Sequence, residues 1–296
     1  MEKSPERLKI LDKIQQLEMA GLFDQDAEED PETFELKPNK IDYLNKKLKS
    51  KIMEFLTLRA GKKFFEGQEK SGNIVIKEIR GFENLDKLDS GAIVTCNHFH
   101  PFDNYLVCKA LYPKLRKGRI YKVIREGNYT NPPPGFEMFM RHGDTLPLSS
   151  NRQTMRKFME AIETLLKRGE KILVYAEQSM WWNYRKPKPL KNGAFSFAVS
   201  NNVPVIPVFI TMEDTENLDN DGFPIQAYTI HILPLIYPKE NVSRAENVKF
   251  MRDKNYEEWV RVYEEFYKQP LVYLTNNDNK IEIENNEKNV INEGER

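Results

Sequence analysis

A mixed, largely parallel α/β sheet flanked by helices is the fold class this sequence predicts. Three observations predict it. Short apolar runs alternate with helix-length amphipathic segments between residues 73 and 235, the pattern of a parallel or mixed sheet with helices on its faces. The run Ala92-Ile93-Val94-Thr95 is hydrophobic throughout, as a buried strand is. That run feeds directly into Cys96-Asn97-His98-Phe99-His100-Pro101-Phe102-Asp103, and open α/β sheets place their sites at such strand ends.

The elements follow in order. Leu8, Leu11, Ile14 and Leu17 lie at helical spacing and predict a short helix over residues 5–20. Residues 24–40 are acidic in their first half and bear proline, which predicts an irregular connector. A longer helix is expected from about residue 41 to 65, with Ile41, Leu44, Leu48, Ile52, Phe55 and Leu56 as its apolar stripe. Lys46, Lys47, Lys49, Lys51, Arg59, Lys62 and Lys63 decorate the rest of it. Strands are expected at 74–79, 92–95, 119–124, 171–175, 205–210 and 227–235, and helices between them at 103–111, 152–167 and 193–201. A last helix, 244–268, precedes an asparagine-rich polar tail whose composition predicts disorder. The expected organisation is a helical element over residues 1–70, a main domain over 71–270 and the tail over 271–296.

Composition narrows the classes. Lys plus Arg and Asp plus Glu are both 45, so the formal net charge is zero, unlike the basic excess of a general nucleic-acid binder. Two cysteines, Cys96 and Cys108, make no disulfide framework and point to a reducing compartment. The first thirteen residues lack the apolar core of a secretory signal. No apolar run approaches the ~20 residues of a membrane span, so any membrane contact is expected at the surface.

His98 and Asp103 are the residues that carry chemistry. A hydroxyl is a poor nucleophile at neutral pH. An imidazole takes its proton during attack, while a carboxylate on the other ring nitrogen fixes the tautomer and stabilises the imidazolium. On one helix the two side chains would stand ~140° apart. Pro101 permits a turn between them, with Asp103 opening the next helix. The plain alternative is a polar loop histidine beside a helix-capping aspartate. A second alternative is a metal site from His98, His100 and Asp103. It is disfavoured because Asn104 follows Asp103 and only His142 and His231 remain downstream.

Asn97-His98, four residues, then Asp103 resembles the first block of the glycerolipid acyltransferases, the lysophosphatidic acid acyltransferase family. Later segments resemble that family in order and spacing. Lys171-Ile172-Leu173-Val174-Tyr175-Ala176-Glu177 resembles its strand ending in proline-glutamate-glycine. Pro189-Leu190-Lys191-Asn192-Gly193-Ala194-Phe195 is similar to its lysine-glycine-alanine-phenylalanine segment, and Asn202-Val203-Pro204-Val205-Ile206-Pro207-Val208 to its last block. The resemblance covers roughly residues 73–235. It implies a glycerol-3-phosphate acyltransferase-like fold, with His98 as general base and Asp103 as its orienting partner. It further implies an acyl thioester donor, either acyl-CoA or acyl carrier protein, and a lysophospholipid or glycerol-phosphate-like acceptor. No metal or organic cofactor is implied. A non-catalytic lipid-binding member of the same fold is the alternative function, with the metallo-hydrolase third.

Two departures stand out. Met180 occupies the place of an arginine that follows the third-block strand in relatives, and Ser149 stands near the place of the second-block arginine. The expected replacements for gripping a phosphate are Arg125, Arg152, Arg185, Lys186 and Lys191, with Lys188 beside them. Glu177 is expected to serve the site through backbone ordering. Trp181 and Trp182 suit either packing or a lipid surface. The basic helix 41–65 is expected to touch an anionic membrane, which gives a cytoplasmic protein peripheral at the membrane.

Overall fold

The computed structural model describes residues 2–29, 32–115 and 118–275. Two helices come first, α1 (Pro5–Met19) and α2 (Leu48–Lys70). Strands and helices then follow as β1 (Val75–Arg80), β2 (Ala92–Thr95), α3 (Asp103–Leu111), β3 (Ile120–Ile124), α4 (Glu126–Thr130) and α5 (Glu137–His142). The chain continues through β4 (Thr145–Pro147), α6 (Arg152–Lys167), β5 (Lys171–Val174), α7 (Gly193–Ser200), β6 (Val205–Leu218), β7 (Pro224–Ile232) and α8 (Arg244–Tyr267). The seven strands form one sheet in the order β1-β7-β6-β2-β5-β3-β4. Only β6 and β7 pair antiparallel; every other neighbouring pair is parallel. This is the mixed, largely parallel sheet that the sequence predicts.

Side-chain alternation along the strands builds two cores. Ile93 of β2 stands beside Ile172 of β5, which stands beside Tyr121 of β3. All three face a layer containing Phe158, Ile162 and Leu165 of α6, Phe195 of α7 and Trp259 of α8. Their neighbours Val94, Leu173 and Ile120 point the other way, onto Leu106, Val107, Ala110 and Leu111 of α3. Because both faces are covered, Ala92, Ile93, Val94 and Thr95 are all fully buried. Gly91 lets this strand approach α6, since a Cβ there would lie 2.2 Å from the Leu166 carbonyl oxygen.

The chain leaves β2 through α3 on one face to reach β3. It returns through β5 and α7 on the other face to β6, on the far side of β2. The carboxyl ends of β2 and β5 therefore open at a switch point, where α/β sheets form crevices.

The expected helix 41–65 is shorter at its start and longer at its end. The side chain of Asp42 accepts from the backbone N–H groups of Lys46 (3.1 Å) and Lys47 (2.9 Å), and from Ser50 Oγ at 2.9 Å. Asn45 has φ +49°. An aspartate that satisfies local N–H groups competes with helix, so α2 begins only at Leu48. Ile41, Tyr43 and Leu44 instead pack on the α6 side of the sheet. Residues 271–275 lie against α1, where Leu274 N and Thr275 Oγ1 donate to Glu18. The rest of the expected tail, 276–296, lies outside the described residues.

Candidate active site

Register decides which side chains meet. Thr95 at the end of β2 pairs with Val174 at the end of β5. Residues just beyond the two strands, His98 on one side and Tyr175 and Glu177 on the other, therefore emerge together. Asn97 anchors the exit: its side chain donates to the Ile210 carbonyl at 3.0 Å and accepts from the Ile210 N–H at 2.9 Å. A polar residue thus continues the ladder to β6 while the chain turns upward.

The turn at Pro101 brings Asp103 back to His98. Asp103 Oδ2 lies 2.7 Å from His98 Nδ1 and accepts from the backbone N–H of Phe99 at 3.1 Å. Asp103 is fully buried, whereas the His98 side chain is 24% exposed. The other carboxylate oxygen accepts a hydrogen bond from the Tyr175 hydroxyl. The Tyr175 ring also stacks on the His98 imidazole, with centroids 3.8 Å apart and planes 15° from parallel. Burial, with the facing Asp103 charge, pushes the Tyr175 phenol well above its usual pKa, so it stays a donor. With Nδ1 engaged by Asp103, Nε2 is the nitrogen left for a substrate hydroxyl.

His98 is pinned through its backbone as well. Glu177 Oε2 accepts from His98 N at 3.0 Å, and Trp181 N donates to the His98 carbonyl at 3.2 Å. The other Glu177 oxygen accepts from Lys188 N at 2.9 Å. Lys188 Nζ lies 3.5 Å from Glu177 with both side chains 1% exposed, and it donates to the Ser179 carbonyl and hydroxyl at 2.8 and 2.7 Å. Burial pushes the Glu177 carboxyl up and the Lys188 ammonium down, and each charge opposes the shift of the other. Such a pair costs desolvation and fixes geometry; here it fixes the loop beneath the imidazole.

His100 does not join the pair. Its Nδ1 accepts from Phe102 N at 3.1 Å, and burial lowers its pKa to about 4. Among the described residues, no group of three or more His, Cys, Asp or Glu side chains is placed to hold a metal ion.

The basic residues expected to grip phosphate are not gathered into an open cluster. Arg125 pairs with Asp26 and donates to the Gln178 carbonyl. Lys191 pairs with Asp24 at 2.7 Å and Lys186 with Glu18 at 2.5 Å. Arg185 pairs with Asp214 at 2.6 Å, out along β6. Arg152 is exposed at the first turn of α6. Trp181 and Trp182 are buried rather than turned to a lipid surface, packed with Ile14 and Leu17 of α1 and with Phe223. Arg7 covers Trp182, its guanidinium carbon 4.4 Å from a ring centroid.

Sequence reasoning missed Tyr175 and the carboxylates Asp24 and Asp26, and it set Lys188 beside the phosphate-gripping residues, whereas the structure buries it against Glu177. The tyrosine is a strand-end aromatic, and nothing in its neighbours marks it as a partner of Asp103. Lys188 lies in a run of basic loop residues, and nothing in that run marks it as the buried one. The acidic connector carried a visible signal, its opposite charge to the basic loop at 185–191, which becomes meaningful only when the two meet in space.

Residues 77–211 match the family model described as Acyltransferase. The match places an acyltransferase-type domain over those residues, a little under half of the chain. It is 29% identical over 132 residues to 1-acyl-sn-glycerol-3-phosphate acyltransferase BAT2, chloroplastic, of Brassica napus. That match covers 44% of this chain and 36% of the relative's length. Among solved structures, the chain is similar to the 1-acyl-sn-glycerophosphate (LPA) acyltransferase PlsC from Thermotoga maritima, with TM-score 0.47 and 22% identity, over 75% of this chain and 81% of that one. The acyltransferase match begins in β1 and ends in β6, so it takes in His98, Asp103, Tyr175, Glu177 and Lys188 and leaves out α1, α2 and α8.

Proposed function

We propose that this protein is an O-acyltransferase that moves a fatty acyl group from an acyl thioester to a hydroxyl of a lysophospholipid-type acceptor. Acyl-CoA or acyl carrier protein supplies the thioester. The observation that carries the reading is the imidazole of His98, held through Nδ1 by a fully buried aspartate at 2.7 Å and partly exposed at the carboxyl end of the sheet.

The chemistry follows from that geometry. The acceptor O–H gives its proton to His98 Nε2 as its oxygen attacks the thioester carbonyl carbon. Asp103 stabilises the imidazolium and holds the ring in the productive tautomer. The tetrahedral intermediate collapses with cleavage of the C–S bond, and the leaving thiolate takes the proton from Nε2. The new ester and a free thiol result, and His98 is neutral again. The two carboxylate oxygens divide the work, one on His98 and one on Tyr175.

Membrane contact belongs to the same reading. Among the described residues, no helix is long and apolar enough to cross a membrane. The outer face of α2 nonetheless presents Leu48, Ile52, Phe55 and Leu56 at 73, 51, 59 and 49% exposure. Lys47, Lys49, Lys51 and Arg59 border them. An apolar stripe edged with lysine suits an anionic bilayer surface, where the stems snorkel beside the buried face. The acceptor's own bilayer is the surface we assign to it.

Thiol release from acyl-CoA in the presence of a panel of lysolipids tests the proposal. Wild-type protein releases thiol and forms the diacyl product by mass spectrometry. His98→Ala is expected to lose about a hundred- to ten-thousandfold of the rate, the usual contribution of a general base, while its circular dichroism is unchanged. A His98→Ala protein with wild-type turnover refutes the assignment. Lipid binding without thiol release by the wild type favours the non-catalytic alternative.

A further inference from the structure

The acidic connector does not run free beside the fold. It lies across the loop that holds His98. Asp26 Oδ1 accepts from Met180 N at 2.8 Å, and its Oδ2 pairs with the Arg125 guanidinium. Asp24 pairs with Lys191 at 2.7 Å, which draws the Asp24 carboxyl below its usual pKa. Three more contacts seat the segment. Ser179 Oγ donates to the Phe23 carbonyl at 2.6 Å, and Trp181 Nε1 donates to the Gln25 carbonyl at 2.7 Å. The Phe23 ring stacks on Trp181 with centroids 5.7 Å apart.

A guanidinium and a backbone N–H converging on two oxygens of one group make an anion seat. Here a carboxylate of the chain itself sits in it. The seat belongs to the catalytic loop. Arg125 also donates to the Gln178 carbonyl. Glu177 holds His98 N, and Trp181 N holds the His98 carbonyl. Met180, whose N–H completes the seat, lies between those two anchors in sequence.

We propose that Asp26 sets the acceptor headgroup: it fills the anion seat beside His98 and thereby selects lysolipids whose headgroup carries an ammonium against those ending in a phosphomonoester. The inference rests on the acyl-transfer reading for its catalytic consequence. A phosphomonoester brings nearly two negative charges. To use Arg125 and Met180 N it must expel Asp26, against the hydrogen bonds and ring stack that seat residues 23–26. If it stays outside, it meets a seat whose cations, Arg125 and Lys191, are already neutralised by Asp26 and Asp24, so the desolvation of its charge goes uncompensated there. A headgroup ending in an ammonium makes no demand on Arg125 or Met180 N, so a filled seat costs it nothing.

The test has two arms, both on the full chain. In the first, thiol release is measured with lysophosphatidic acid and with lysophosphatidylethanolamine in neutral detergent micelles. The wild type is expected to favour the ethanolamine acceptor about tenfold or more in kcat/KM. Asp26→Asn, which keeps an acceptor oxygen for Met180 N, is expected to raise the rate with lysophosphatidic acid about tenfold and to narrow the preference. In the second arm, binding of glycerol 3-phosphate is followed by calorimetry, which needs no turnover. Asp26→Asn is expected to bind it about tenfold more tightly than the wild type. A wild type that prefers lysophosphatidic acid overturns the proposal, and so does equal glycerol 3-phosphate affinity in the two proteins. If no lysolipid supports thiol release, the acyl-transfer reading fails, and the calorimetric arm still decides whether Asp26 guards the seat.

Discussion

At the scale of the residue, the site is a matter of which polar group is left with work to do. Asp103 is saturated: one oxygen serves His98 and the Phe99 N–H, the other takes the Tyr175 hydroxyl. In the proposed mechanism Tyr175 is a positioning residue: its ring stacks on His98 and its hydroxyl binds Asp103. Tyr175→Phe keeps the ring, and with it the stack on the imidazole, but removes the donor. A hydrogen bond to a charged group is worth about 1.5–3 kcal/mol, part of it expressed when the imidazolium forms. The expected result is about a tenfold fall in kcat, about 1.4 kcal/mol, with KM and far-UV circular dichroism unchanged. Unaltered kcat in Tyr175→Phe would remove the hydroxyl from the mechanism. His98 and Asp103 were legible in the sequence because both lie within one turn and the turn contains a proline. Tyr175 was not, because it lies 72 residues from its partner and only the pairing of Thr95 with Val174 brings it there.

At the scale of the element, α2 shows how a correct period can overrun the helix that carries it. Helical spacing from Ile41 to Leu56 predicted one continuous stripe. In the structure the stripe divides at Leu48. Ile41 and Leu44 pack on the core from an irregular segment, while Leu48, Ile52, Phe55 and Leu56 point outward. The face of α2 turned to the protein carries Thr57, Gly61, Phe64 and Phe65. Phe65 stacks on Tyr105 at 4.4 Å, and a Cβ on Gly61 would stand 3.3 Å from Phe139. A sequence period reports that a helix has an apolar side, but it does not report whether protein or lipid covers that side. The two possibilities have opposite energetics. Replacing a packed core residue by a charge costs several kcal/mol of folding stability, whereas these exposed positions tolerate it. Ile52→Asp together with Phe55→Asp is therefore expected to leave the unfolding free energy within about 0.5 kcal/mol of wild type. The same pair is expected to cut binding to anionic liposomes about tenfold or more, since each apolar side chain fully buried in lipid contributes about 1.5–3 kcal/mol. Sedimentation with vesicles measures it, and undiminished binding would move the membrane face elsewhere.

At the scale of the whole molecule, the loop that carries the site is clasped by parts of the chain outside the matched residues 77–211. From the amino-terminal side come Ile14 and Leu17, which pack on Trp181 and Trp182, and the 23–26 segment with its hydrogen bonds to Ser179, Met180 and Trp181. From the carboxyl-terminal side comes Tyr273, whose hydroxyl donates to the Pro187 carbonyl at 2.6 Å, while Leu274 and Thr275 hold Glu18. The strand-and-helix core was legible because its pattern repeats along the chain. The clasp was not, because its contacts join residues up to 257 positions apart in sequence through a segment of connector composition. A clasp of this kind is expected to open before the sheet does when its apolar anchor is thinned. Ile14→Ala with Leu17→Ala deletes two buried side chains, each removal costing about 2–5 kcal/mol, and that loss falls on a small cluster of five buried residues rather than on the sheet. The protein has three tryptophans, and two of them, Trp181 and Trp182, are in that cluster, while the third, Trp259 of α8, is in the core against the sheet. Tryptophan emission thus reports the clasp and far-UV circular dichroism reports the sheet. In the double variant the emission is expected to shift red at a lower urea concentration than the loss of ellipticity, with acyl transfer lost over the same range as the shift. Coincident transitions in the variant would show instead that α1 and the sheet form one cooperative unit, and that the site loop cannot be released without unfolding the domain that bears it.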